Sequence, residues 1–340
     1  MAGSELTPEL VLALGRAACR VVSGDSPLWL VGRDTRRSGP MLGAALASGL
    51  TAEGADVVDL GVVPTPAVAA MAAAWGAAAA MVSASHNPYA DNGIKLFGPG
   101  GCKLDDNTEA LVEAELASLV AEDRNRLRRH GPGVGTLRGE AQAASWYQDR
   151  IIEVGLDGRR LAGIRVALDC ANGAASAVAP AVLAAAGADV VAVVGAEPDG
   201  RNINASCGST DPSKLSAAVV AEGADVGLAF DGDADRLIAV DGTGGVIDGD
   251  RLLAIFAADL RHRGRLRDDT VVVTVMSNLG FHRAMAAEGI AVHQTGVGDR
   301  LVLAALEEGN WSLGGEQSGH IIFADLATTG DGILAGVVLL

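Results

Sequence analysis

Three short stretches of this chain are near copies of one another: Glu-Gly-Ala-Asp at 53–56, Ala-Gly-Ala-Asp at 186–189 and Glu-Gly-Ala-Asp at 222–225. Each follows an Ala-rich helical stretch and precedes a Val-rich run. Glycine closes a helix in the left-handed conformation that other residues resist, and a short turn then feeds a buried strand. Helix–strand units in series bury both faces of their strands by building parallel sheets covered by helices.

The units fall into three groups. The first runs from LWLVGRD (28–34) through ADVVDLG (55–61) to AAAMVSAS (78–85). The second contains IRVALDCA (164–171), ADVVAVVG (188–195) and ADVGLAFD (224–231). The third contains TVVVTVMSN (270–278), IAVHQTG (290–296) and WSLGGEQSGH (311–320). A charged, Gly-rich connector (121–140) separates the first two groups, and a hairpin around Gly242 to Gly245 leads into the third. The chain has 340 residues, more than one core usually serves. Three consecutive α/β domains are expected, with mixed, mostly parallel sheets, at 1–146, 147–246 and 247–340.

Composition narrows the function classes. Only 3% of residues are aromatic against 49% hydrophobic, so the cores are built from Ala, Val and Leu. Lys and Arg number 26 and Asp and Glu 42, a formal net charge of −16, which disfavours nucleic-acid and anionic-membrane partners. An anionic substrate then needs a local basic lining. The four cysteines lie apart with no C-x-x-C pair, which fits a reducing cytoplasm and argues against a zinc site. No signal peptide is read at the N-terminus. The Ala-rich run 67–84 is broken by Gly76 and lacks basic flanks, so it reads as a helix followed by a buried strand rather than a membrane span.

Ligands in such sheets bind at the C-terminal ends of the strands. The first group places Ser83, Ser85, His86 and Asn87 there, followed by Lys95. The second places Asp231, Asp233, Asp235 and Arg236 there, and the third Glu316, Ser318 and His320. Three carboxylates at alternate positions suit a hard cation, because like charges so close repel until a divalent ion neutralises them. An EF-hand is excluded: its sixth loop position would be Arg236 and its twelfth Gly242. A plain polar turn stays open for this loop, as does a phosphatase with Asp231 as nucleophile; N-capping stays open for Ser85. Arg33, Arg36 and Arg37 precede a helix and read either as a solvated basic loop or as an anion site.

Taken in order, SASHNPYADNGIKLFGPGG, DCANGAAS, NINASCGST, DGDADR, VGDR, GGEQSGH and TTGDG resemble the α-D-phosphohexomutase superfamily over essentially the whole chain. NINASCGST and GEQSGH resemble its phosphoglucosamine mutase branch more than the phosphomannomutase/phosphoglucomutase relatives. The resemblance implies that Ser85 is a phosphoserine and that Asp231, Asp233 and Asp235, with the serine phosphate, hold one Mg²⁺. It implies that Lys95, Arg236 and His320 line the reacting phosphate, and that Glu316, Ser318, His86 and Arg300 bind the sugar phosphate. The implied reaction interconverts glucosamine 6-phosphate and glucosamine 1-phosphate through a hexose 1,6-bisphosphate in the cytoplasm. The implied partner is a small-molecule hexosamine phosphate, with a second copy of the chain as a further expected partner. A related phosphomannomutase/phosphoglucomutase, a Mg²⁺-dependent sugar phosphatase and an inactive sugar-phosphate-binding paralogue stay open.

Two departures bear on activity. The family's GTDGIRG-like opening has no counterpart after Met1, where AGSELTPEL resembles the family only downstream of that motif, and the chain stops in the apolar run GILAGVVLL without a cap. Both extremities, including the fourth domain whose loop clamps the non-reacting phosphate, are therefore expected to be missing. The Ser85 site and Mg²⁺ binding are expected to survive with mutase turnover low or absent. A smaller departure is Gly296, where many relatives carry Lys or another side chain.

Overall fold

The computed structural model describes residues 1–22, 27–121 and 133–340, so most of the connector expected at 121–140 lies outside the described residues. Three sheets form. The first holds β1 (Leu28–Arg33), β2 (Asp56–Val62), β3 (Ala78–Val82), β4 (Ile94–Phe97) and β5 (Leu137–Gly139) in the order β4-β3-β1-β2-β5. The second holds β6 (Arg165–Asp169), β7 (Asp189–Val194), β8 (Val226–Phe230), β9 (Leu237–Asp241) and β10 (Val246–Ile247) in the order β10-β9-β8-β6-β7. The third holds β11 (Thr270–Thr274), β12 (Ala291–Thr295), β13 (Leu313–Gly315) and β14 (Ile321–Phe323) in the order β12-β11-β13-β14.

One pattern repeats in all three. The first strand lies between the second and third, parallel to both, and a fourth strand pairs antiparallel to the third on its other side. Each loop from a third to a fourth strand therefore leaves at a C-terminal strand end. These loops are 83–93, 231–236 and 316–320, and they hold the three polar clusters.

The near-copies end helices as the sequence requires. Gly54, Gly187 and Gly223 sit at φ +93°, +99° and +60° after α2 (Gly39–Ala52), α6 (Ala175–Ala186) and α7 (Ser213–Glu222). The Ala-rich run forms α3 (Thr65–Trp75), stopped by left-handed Gly76, and then the fully buried β3. Among the described residues no helix is long and apolar enough to cross a membrane.

By its contacts the described chain separates into two compact units, Met1–Tyr147 with Asp199–Ile203, and Gln148–Pro198 with Asn204–Leu340. The first unit buries Trp29, Val31, Leu42, Leu46 and Leu50 between its sheet, α2 and α1 (Pro8–Val22). Truncating a leucine as enclosed as Leu46 costs about 2–5 kcal/mol. The helices α1 and α2 cross with Gly15 and Gly49 at the contact, where backbone meets backbone.

The second unit holds the second and third sheets. Its last helix, α11 (Gly332–Leu339), leaves the third sheet and packs on α6, β8 and β9 of the second. Asp331 caps it by accepting a hydrogen bond from the Leu334 N–H at 2.9 Å. That helix and the backbone pairs described below join the two sheets into one body.

Candidate functional site

In the first unit, β3 delivers the serine loop. Ser85 is buried and its backbone is left-handed, at φ +49°. For a non-glycine residue that conformation costs about 1–2 kcal/mol and persists only where neighbours impose it. The Ser85 N–H donates to Ser83 Oγ at 2.9 Å, and Ser83 Oγ donates to the buried Asp34 at 2.7 Å. Ser85 Oγ lies 3.5 Å from Nδ1 of His86, which is exposed. No helix follows Ser85, so it caps nothing; the chain turns back into β4. Lys95, on β4, pairs in register with Met81 and lines a cavity of about 350 Å³ together with Lys103, Leu104 and Val112.

The three arginines before α2 have separate fates, and neither expectation for them as a group is met. Arg33 pairs with Asp59 at 2.7 Å, Arg37 is exposed, and Arg36 is buried beneath the serine loop. Sequence reasoning named Arg36 but not its burial beneath the serine loop, and it missed Asp34. The spacing Asp-x-Arg before a helix was the available signal.

In the second unit the acidic loop follows β8. Asp231, Asp233 and Asp235 are all buried, and one oxygen from each lies within 4.8 Å of the others. The loop is shaped by left-handed Ala234 and by the Arg236 N–H, which donates to Asp231 Oδ1 at 3.3 Å. Three buried carboxylates so close demand a compensating cation, and an all-oxygen donor set fits Mg²⁺. On the strand beside β8, Asp169 at the end of β6 has its carboxyl pushed up by burial although it accepts from the Ala171 and Gly208 N–H groups.

The loop 316–320 packs directly onto the acidic one. The Leu237 N–H donates to Gly319 O at 2.9 Å and the Gly332 N–H to Ala234 O at 3.0 Å. Gly319 is required there: it sits at φ +90°, and a Cβ would fall 2.1 Å from Leu237 O. His320 is buried, with Nδ1 3.7 Å from Asp235 and Nε2 3.5 Å from Asp299 while accepting from the Gly330 N–H at 3.2 Å. Asp299, at the start of α10 (Asp299–Gly309), was not singled out from sequence, although it immediately precedes Arg300. Glu316 accepts from the Gly298 N–H at 3.1 Å. Arg236 Nε, Gln317 Oε1 and Ser318 Oγ are buried and hold no hydrogen bond among the described residues. Such polar atoms are stabilised when a polar ligand supplies partners.

The second unit thus brings Asp231, Asp233, Asp235, Arg236, Glu316, Ser318 and His320 onto adjoining loops, with Arg300 in the first turn of α10, while Ser85, His86 and Lys95 belong to the first. The phosphoglucomutase/phosphomannomutase α/β/α domain models match in order: domain I at 1–122, domain II at 145–245 and domain III at 248–340. The phosphoglucosamine mutase of Mycolicibacterium paratuberculosis is 51% identical over 345 residues, covering all of this chain and 76% of its own length. That of Shouchella clausii is 50% identical over 346 residues, covering all of this chain and 75% of its own. A solved phosphoglucomutase/phosphomannomutase family protein from Burkholderia thailandensis superposes with a TM-score of 0.81 at 29% identity, over 99% of this chain and 73% of that one. The chain spans about three quarters of the length of these relatives.

Proposed function

Because the chain belongs to the phosphoglucomutase/phosphomannomutase family, we propose that it acts as a phosphoglucosamine mutase, interconverting glucosamine 6-phosphate and glucosamine 1-phosphate. The observation that carries this reading is the identity of about half with phosphoglucosamine mutases along the entire chain. The three polar loops at one repeated topological position support it. The boundaries 1–146, 147–246 and 247–340 assign one such loop to each domain.

In this reading Ser85 carries the phosphoryl group. The sugar hydroxyl attacks phosphorus, the P–O bond to Ser85 Oγ breaks, and Oγ takes up the proton that the hydroxyl loses. The resulting hexose 1,6-bisphosphate then returns its other phosphoryl group to Ser85 Oγ, with the opposite proton movement. Phosphoryl transfer needs in-line placement and charge neutralisation above all. Asp231, Asp233 and Asp235 would hold Mg²⁺, which supplies Lewis-acid stabilisation of phosphate oxygens when bound. Lys95, Arg236 and His320 meet the charge on the reacting phosphate, and Arg236 faces Asp235 with Nε 3.9 Å from its carboxylate. Glu316 and Ser318 take sugar hydroxyls, and the unpartnered Ser318 Oγ is suited to that. His86 and Arg300 complete the basic lining that an anionic substrate needs on a chain of net charge −16. A cytoplasmic setting, a homodimer, and a lack of nucleic-acid or membrane partners belong to the same reading.

The test is formation of glucosamine 1-phosphate from glucosamine 6-phosphate with Mg²⁺ and a hexose 1,6-bisphosphate, with Ser85→Ala in parallel. Product that vanishes in the variant is the expected result. Product that persists in Ser85→Ala refutes the phosphoserine. Free phosphate released by both proteins replaces the mutase with a phosphatase using Asp231.

A further inference from the structure

We propose that Arg36 is a positioning residue for Ser85, holding the serine loop in the conformation from which phosphoryl transfer proceeds. This rests on the assignment of Ser85 above and adds a residue that does not touch the substrate.

Arg36 is 1% exposed, and all five N–H groups of its guanidinium are spent inside the protein. Nε donates to Asp34 at 2.8 Å. One terminal nitrogen donates to Asp91 O at 3.0 Å and to Pro88 O. The other donates to Ser85 O at 2.9 Å and Asn87 O at 2.8 Å. Four carbonyls from a seven-residue stretch thus converge on one planar cation, and the first of them belongs to Ser85 itself.

Asp34 makes this arrangement tenable. It neutralises the buried guanidinium and fixes the Arg36 backbone by accepting its N–H at 2.9 Å. It also accepts from Ser83 Oγ, whose own oxygen takes the Ser85 N–H. Ser85 is therefore held at both of its backbone polar groups, N–H through Ser83 and Asp34, C=O through Arg36. Pinning both ends is what keeps an L-residue at φ +49°. A serine free to relax towards ordinary backbone angles would swing Oγ away from the in-line direction.

Lysine cannot substitute. An ammonium offers three donors without a planar fork, so two of the five acceptors lose their partner. A residue serving only the fold would change the folded fraction alone. A positioning residue changes the rate of each folded molecule.

The experiment follows transfer of one phosphoryl group from a hexose 1,6-bisphosphate to the protein, by intact mass, for the parent chain, Arg36→Lys, Ser83→Ala and Ser85→Ala. Melting curves and amide hydrogen exchange of residues 78–91 accompany each. Expected for Arg36→Lys is a folded protein whose uptake is slowed about 100-fold, the usual effect of a displacement near 1 Å. Exchange should quicken at 85–91 while β3, at 78–82, stays protected. Ser83→Ala, which retains the Arg36–Asp34 pair, should slow uptake less and loosen the same segment. Uptake in Arg36→Lys at the parent rate, with Ser85→Ala silent, overturns the positioning role alone. Slowing that a smaller folded fraction accounts for, or unchanged exchange at 85–91, overturns it as well. Undiminished uptake by Ser85→Ala overturns the assignment of Ser85 instead.

Discussion

The crossing of α1 and α2 allows a prediction of sign as well as size. A Cβ at Gly49 would lie 2.1 Å from Leu12 O, 3.0 Å from Arg16 N and 3.1 Å from Gly15 Cα. Carbon–oxygen contacts settle near 3.3–3.6 Å, so Gly49→Ala must drive the helices apart by roughly 1.2 Å. The obstacle is backbone, which has no rotamer to turn away. Alanine's better helix propensity returns about 1 kcal/mol. Overpacking costs about 1–3 kcal/mol, and a gap of this size forfeits a quarter to a half of each dispersion contact across the seam. Val11, Ala18, Leu42, Leu46 and Leu50 are the buried residues exposed to that loss. The net expectation is destabilisation by about 2 kcal/mol. Gly43, on the same helix, supplies the control, because a Cβ there meets nothing within 4 Å. Gly43→Ala should gain the propensity term alone, about 1 kcal/mol of stabilisation. Urea unfolding of the first unit, followed through the buried Trp29, measures both. If the two variants shift stability in the same direction, close backbone packing does not govern this seam.

Two further outcomes follow from burial. Asp233→Asn should raise the melting temperature without metal, by relieving repulsion among three carboxylates within 4.8 Å, and should abolish the rise that Mg²⁺ gives the parent. That rise should correspond to about 2.7 kcal/mol at a hundredfold excess over the dissociation constant, and melting with Mg²⁺ or with a chelator checks both statements. Among the cysteines, burial pushes the Cys207 thiol up to about 11 and the Cys170 thiol higher still, while Cys19 is buried too. A thiol reagent at pH 8 should therefore modify Cys102 alone in the native protein and all four cysteines in denaturant.

The repeating architecture was legible because its signals are local. Gly54, Gly187 and Gly223 each take the left-handed angle that ends a helix, and the turn after β9 closes as a hairpin with Asp241 accepting from Thr243 and Gly245. The short closing strands were less visible. β4 and β14 run only four and three residues, too few for alternation to register, and β5 is three exposed residues on an edge. The three expected α/β domains match the three family models in order, and by contacts the second and third form one compact unit because the docking of α11 on β8 and β9 joins residues a hundred apart in sequence. In the site, residue types that announce chemistry by themselves were legible: the alternating aspartates and the Ser-His-Asn cluster. Residues that act through others were not. Arg36 reads as part of a solvated basic loop or an anion site until its five acceptors are in place, and Asp299 has no visible tie to His320, 21 positions later, before the chain folds.

The clamp on the serine loop also bears on how a phosphoryl group would first reach Ser85 in the proposed mutase. Arg36 lies 49 residues from Ser85 and 55 from Asp91, on the far side of two strands and two helices. A peptide copied from residues 81–95 contains every side chain of the motif and none of the forces that shape it. In solution such a peptide would relax from the left-handed angle at Ser85. A donor charging Ser85 in the proposed reaction would meet a loop shaped by the fold, which a peptide of the same sequence does not present.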